Sequence, residues 1–93
     1  MYKIKANIHL YLEKEGGSTR TGFSGMQPSI DIGGDLIACK IIYGNHGAEM
    51  PLGQDYDVAV ELPYGEVYAD RLKSGFHFNL NIAGRVIGYG TVE

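Results

Sequence analysis

The sequence predicts an all-β domain, an antiparallel barrel or sandwich of about six strands joined by short connections. Three observations carry that expectation. Apolar and polar residues take turns over long stretches, which is the period-2 pattern of a strand with one dry face. Fourteen Gly and three Pro supply the punctuation that tight turns need. No segment of helical length shows an apolar stripe of 3.6-residue period.

The elements follow in order. Tyr2, Ile4, Ala6, Ile8, Leu10 and Leu12 alternate with Lys3, Lys5, Asn7, His9, Tyr11 and Glu13, predicting a long amphipathic strand that starts almost at the first residue. Lys14 to Gly25 is polar and glycine-rich and reads as a loop. Pro28 biases Gln27 away from helix, so an extended piece begins there. Ser29 to Ile32 is then a short strand, Gly33-Gly34-Asp35 a turn, Leu36 to Tyr43 an apolar strand and Gly44 to Gly53 a loop. Tyr56, Val58, Val60 and Leu62 alternate with Asp57, Ala59 and Glu61, giving another strand. Pro63 to Gly75 is less regular, with Glu66 to Tyr68 read as extended and Ala69 to Lys73 as one helical turn. Phe76, Phe78, Leu80 and Ile82 alternate with His77, Asn79 and Asn81, and Ala83-Gly84-Arg85 breaks the run where positive φ is tolerated. Val86 to Val92 returns with Gly88 and Gly90 on one face, a β-hairpin whose backbone something else must approach closely.

Ninety-three residues suffice for one domain with one core, residues 1–93. An apolar fraction of 44% with 20% charged residues is that of a folded globular chain. No run reaches the ~18–20 apolar residues of a membrane helix, and Met-Tyr-Lys-Ile-Lys lacks the apolar core of a signal peptide. Cys39 is the single cysteine and has no internal partner. These features place the chain in the cytoplasm, with no membrane partner. A net charge of −3 argues against sequence-independent nucleic-acid binding, and no DNA partner is expected.

Few residues carry a chemical signal. His9 and His77 fall at outward strand positions and His46 in a glycine-flanked loop, with no metal-ligand spacing among them. They read as surface histidines. Cys39 lies beside Ile37, Ile41 and Ile42, where a buried thiol is inert filler. Asp55, Asp57, Glu61, Glu66 and Asp70 do not follow a Ca²⁺ loop, so neither metal nor cofactor is expected. Lys14 to Arg20, with Gly16-Gly17, could nest an anion, but no helix follows it, and a plain turn is the better reading. No nucleophile–base pair and no Gly-x-x-x-x-Gly-Lys-Ser/Thr loop is present, so no enzyme is expected. Seven Tyr without a Trp are the one compositional oddity. Tyr2 and Tyr56 fall on inward faces, while Tyr11, Tyr64, Tyr68 and Tyr89 fall at the surface or rim, where aromatic groups anchor interfaces. Tyr64, Glu66, Tyr68 and Tyr89 are therefore the candidate protein contacts.

Three segments also stand at a familiar spacing. They are Lys14-Glu15-Gly16-Gly17 with Phe23-Ser24-Gly25 and Pro28; Met50-Pro51-Leu52-Gly53 with Val58-Ala59-Val60-Glu61-Leu62; and Gly75, Phe78, Gly84-Arg85, Gly88 and Gly90. Together they resemble the C-terminal β-barrel, the third domain, of elongation factor Tu. The resemblance implies a small closed antiparallel β-barrel standing free of any GTPase domain. It also implies a translation-linked role in which the barrel holds the T-stem of aminoacyl-tRNA, with Lys14, Arg20 and Arg85 in the matching loops as candidate RNA contacts. The chain departs from that pattern where it matters for RNA. Ser18-Thr19 stand where the family has an Arg-His pair, Ser29 replaces a Gln, and Ile82-Ala83 replace Glu-Gly. Because cations facing phosphate supply much of nucleic-acid affinity, the expected function is a non-enzymatic binding module with a protein partner. The alternatives are a tRNA- or RNA-binding module, and a mimic of the elongation factor that occupies a toxin or another factor.

Overall fold

The amphipathic run that opens the chain becomes the middle of a sheet. The structure is a computed structural model that describes residues 1–93. Its strands are β1 (Tyr2–Leu10), β2 (Gly22–Phe23), β3 (Ser29–Ile32), β4 (Asp35–Ala38), β5 (Lys40–Ile42), β6 (Glu49–Met50), β7 (Asp55–Leu62), β8 (His77–Ile82) and β9 (Arg85–Val92). Seven of them form one antiparallel sheet in the order β4-β3-β8-β9-β1-β7-β5, and β2 pairs with β6 in a small separate ribbon. There is no α-helix, only two short 3₁₀ turns at Glu13–Glu15 and Gly65–Tyr68. No helix is long and apolar enough to cross a membrane.

The sheet is strongly curled. Its two edge strands, β4 and β5, are consecutive in sequence and separated by Cys39 alone. Around that residue the backbone bonds to the Gly25–Pro28 segment: Cys39 N donates to the Pro28 carbonyl at 3.1 Å, Ile41 N to Met26 O at 2.9 Å, and Gly25 N to Ile41 O at 2.6 Å. One short run of chain thus forms both margins of the sheet. The inward residues of β1 (Ile4, Ala6, Ile8, Leu10), β7 (Tyr56, Val58, Val60, Leu62), β3 (Ile30, Ile32) and β8 (Phe78, Leu80) meet inside the curl as one apolar cluster. Each aliphatic side chain removed from water there contributes about 1.5–3 kcal/mol against the entropy of ordering the chain.

The glycines of the closing hairpin behave as its sequence requires. Gly88 stands against the His9 carbonyl so closely that a Cβ would collide with it, and a Cβ on Gly90 would lie 2.6 Å from the Phe78 ring and 2.8 Å from Ile8. The close approach is made by β1, whose Leu10 and Ile8 pair with Gly88 and Gly90.

Several details differ from the sequence reading, each for a local reason. The apolar run Leu36–Tyr43 is interrupted at Cys39, where the chain leaves one sheet margin for the other. Glu66–Tyr68 is a 3₁₀ turn and not extended, because Gly65 is wedged against Leu62 and Tyr2, at 2.7 and 2.9 Å from its ideal Cβ position. β1 ends at Leu10, where Gly53 N donates to the Leu10 carbonyl at 2.6 Å, and Leu12 turns outward. A β-bulge in the hairpin sets Leu80 opposite Gly88 but Asn81 opposite Val86, so Ile87 is the extra residue and turns inward. The added twist of a bulge leaves Ile82 and Val86, at the hairpin tip, half exposed.

Candidate protein-interaction surface

The outer face of the sheet carries an ordered cross-strand row. Asp31, Asn79, Tyr89, His9 and Asp55 stand opposite one another on β3, β8, β9, β1 and β7. Residues in register on one face lie within contact distance of their neighbours, and the aromatic members use it. The His9 and Tyr89 rings lie 5.3 Å apart, Tyr11 and Tyr89 5.7 Å, and His9 and Tyr11 5.8 Å. His9 is fixed from the other side by a hydrogen bond to Asp55, whose Oδ1 lies 2.7 Å from Nδ1. The next row repeats the scheme with His77, Thr91, Asn7 and Asp57. There His77 Nδ1 meets Thr91 Oγ1 at 2.8 Å and Asn7 Nδ2 donates to Asp57 Oδ1 at 3.1 Å. The hydrogen bond from Asn7, then that from Glu93, holds the Asp57 carboxyl below the usual carboxylate range, and the same pairing with Asp57 pushes Glu93 up. Between Tyr89, His77, Asn79 and the Gly33-Gly34 turn lies a shallow hollow of about 360 Å³.

Of the four residues singled out as protein contacts, only Tyr89 belongs to this face. Tyr64, Glu66 and Tyr68 cluster around the 3₁₀ turn Gly65–Tyr68 beside Tyr2. Tyr2 and His9 lie seven residues apart along β1, which places the two patches roughly 23 Å from each other at strand rise. Tyr64 and Val67 are the exposed large apolar groups there, at 72% and 81%. Glu66 pairs with the N-terminal ammonium at 3.6 Å. Tyr68 is partly buried against the core, with its hydroxyl 3.3 Å from Asp35 Oδ2.

The cationic set is also divided. Arg85 Nη1 donates to the Gly17 carbonyl at 3.2 Å and so ties the glycine loop to the hairpin. Arg20 lies nearby, across a shared wall of Ser18, Ile82 and Ile87. Lys14 stands apart with Leu12 and Glu13, flanked by the carboxylates of Glu13 and Glu15. The three cations do not form a continuous stripe. Beside Arg20 opens a cleft of about 470 Å³ with an apolar floor formed by Leu10, Met26, Leu52 and Ile87 and with Phe23 and Ile82 at its mouth. The sequence reading did not point to Phe23, Leu52 or this cleft, because the pieces come from five separate stretches of chain.

No group of three metal-ligating side chains converges. Cys39 is buried, its Sγ 3.3 Å from the Pro28 carbonyl, and burial pushes its thiol up to about 12. No protein-family model and no curated protein matches the chain. The chemistry of its surfaces therefore carries the functional reading.

Proposed function

We propose that the chain is a non-enzymatic, cytoplasmic binding module whose partner is a protein, built as a closed barrel similar to the C-terminal domain of elongation factor Tu. The observation that supports this most directly is the outward-facing ring cluster of part-buried His9 and Tyr11 with exposed Tyr89 on the sheet. Aromatic groups held in place by strand pairing offer a large contact area at little entropic cost. Asp31 and Asp55 flank the rings in their own row and Asp57 lies in the next. Such a face repels phosphate and favours a protein over a nucleic acid. The barrel reading is supported by the run Asp35–Ile42, which supplies both sheet margins.

A second reading, RNA binding, draws on Arg20 and Arg85, which face adjoining hollows at the hairpin tip. The test uses the purified chain as bait in a cross-linking capture and, in parallel, a gel shift with charged and uncharged tRNA at low salt. Capture of a protein that is lost with Tyr11→Ala/Tyr89→Ala and kept with Arg20→Ala supports the protein reading. A tRNA shift abolished by Arg20→Ala and Arg85→Ala, with no Tyr-dependent protein captured, replaces it with the RNA reading.

A further inference from the structure

We infer that the cleft beside Arg20 is a receptor for the C-terminus of a polypeptide ending in a large apolar residue; this rests on the protein-binding reading above and names a second, more specific contact. The cleft has the size of small-ligand sites. At the ~30 Å³ that a liquid water occupies, its 470 Å³ holds on the order of 15 non-hydrogen atoms. That is about one large side chain with its terminal peptide unit. The walls are unequal. Leu10, Met26 and Leu52 make an apolar floor, while Phe23, 48% exposed, and Ile82, 42% exposed, line the cleft nearer to solvent. Two large, half-exposed apolar groups lining one concave opening favour an apolar group entering it.

The rim specifies the rest of the ligand. Arg20 lines the cleft, and its guanidinium takes part in none of the molecule's ion pairs. A carboxylate is the group whose geometry a guanidinium fork matches. Next to it, the backbone of residues 18–21 makes no hydrogen bond to other backbone, while Arg20 N is held only by the Ser18 hydroxyl at 3.2 Å. Ser18, Arg20 and Thr21 of this segment line the cleft, and amide and carbonyl groups not engaged by other backbone are what a peptide main chain pairs with, whereas a fatty acid has no use for them. Apolar floor, cationic rim and free backbone coincide in one place, and a peptide C-terminus satisfies all three. Arg85 keeps the arrangement in shape by bonding the Gly17 carbonyl at the start of the wall.

The experiment compares an acetylated Gly-Ser-Ala-Leu peptide with a free carboxylate, its C-terminal amide, and decanoate, by NMR titration of the isotope-labelled full chain. The expected result is binding of the acid peptide with a dissociation constant on the order of 0.1–1 mM, as a ligand of this size allows. Shifts should be confined to the cleft, namely residues 18–27 and 82–87 with Leu10 and Leu52, and the amide should bind about tenfold more weakly. Arg20→Met should erase the difference between acid and amide, and Phe23→Ser should weaken both while leaving the remaining spectrum unchanged. Equal binding of acid and amide by the unaltered chain, shifts elsewhere, no binding at 5–10 times the upper expected concentration, or binding of decanoate alone each overturns the inference. None of these outcomes bears on the Tyr89 face, whose partner is scored separately by the Tyr11→Ala/Tyr89→Ala capture.

Discussion

Cys39 sits at the one point where the chain passes from one margin of the sheet to the other, and its environment makes it chemically silent. Its thiol is pushed up to about 12 by burial, from a reference value of 9.0. Below pH 9 both folded and unfolded chains hold the proton and stability is unaffected. Above it the unfolded thiol ionises first, so stability falls as pH rises from 9 toward 12, by about 2 kcal/mol at pH 10.5. The stability difference between the native chain and Cys39→Ala, read from denaturant melts, should be constant below pH 9 and shift in favour of Cys39→Ala within that window, and an aromatic disulfide reagent at pH 8 should label Cys39 only after unfolding. Gly88 is the second residue whose identity is dictated locally. Its missing Cβ makes room for the His9 carbonyl, so Gly88→Ala forces β9 off β1 and should cost about 3 kcal/mol, read as a lowered denaturation midpoint. This glycine was readable from sequence as a close-approach site because it alternates with Gly90 inside a strand pattern. The ring cluster was not readable. His9 and Tyr89 lie at opposite ends of the chain, and only strand register brings them to 5.3 Å.

Among the elements, the long strands were the easiest to foresee, since β1, β7 and β8 each repeat dry and wet positions enough times to announce their inner face. The two-residue strands β2 and β6 have no period to detect and were read as loop. The bulge at Ile87 was equally hidden, because it is a property of the pairing and not of either strand alone. The half exposure of Ile82, which lines the cleft, lay outside the alternation of β8 as well. The β8–β9 turn permits a test of local design. Ala83 and Gly84 both have positive φ, 51° and 78°, the two-residue geometry that Asn-Gly fits best. An alanine in that region costs roughly 1 kcal/mol. Ala83→Asn should therefore raise stability by about 0.5–1 kcal/mol and the melting midpoint by about 3–6 °C. The tie from Arg85 to the glycine loop makes another prediction. Arg85→Met should speed amide exchange at Gly17, whose N–H is bonded to the Leu12 carbonyl, while leaving β1 and β7 protected.

At the scale of the whole molecule, a single apolar cluster fed by eight of the nine strands predicts one cooperative transition. Calorimetry should give an unfolding enthalpy of roughly 65 kcal/mol for a chain of this length, with far-ultraviolet and tyrosine signals coincident. The radius of gyration of 12.0 Å is that of a compact domain of this size. The sheet order carries one more implication. β9 does not lie at an edge but is inserted between β8 and β1. A variant from which Arg85–Val92 is deleted has a gap in the middle of the wall and nothing to bridge it. Such a deletion should therefore yield a degraded chain and never a smaller working module.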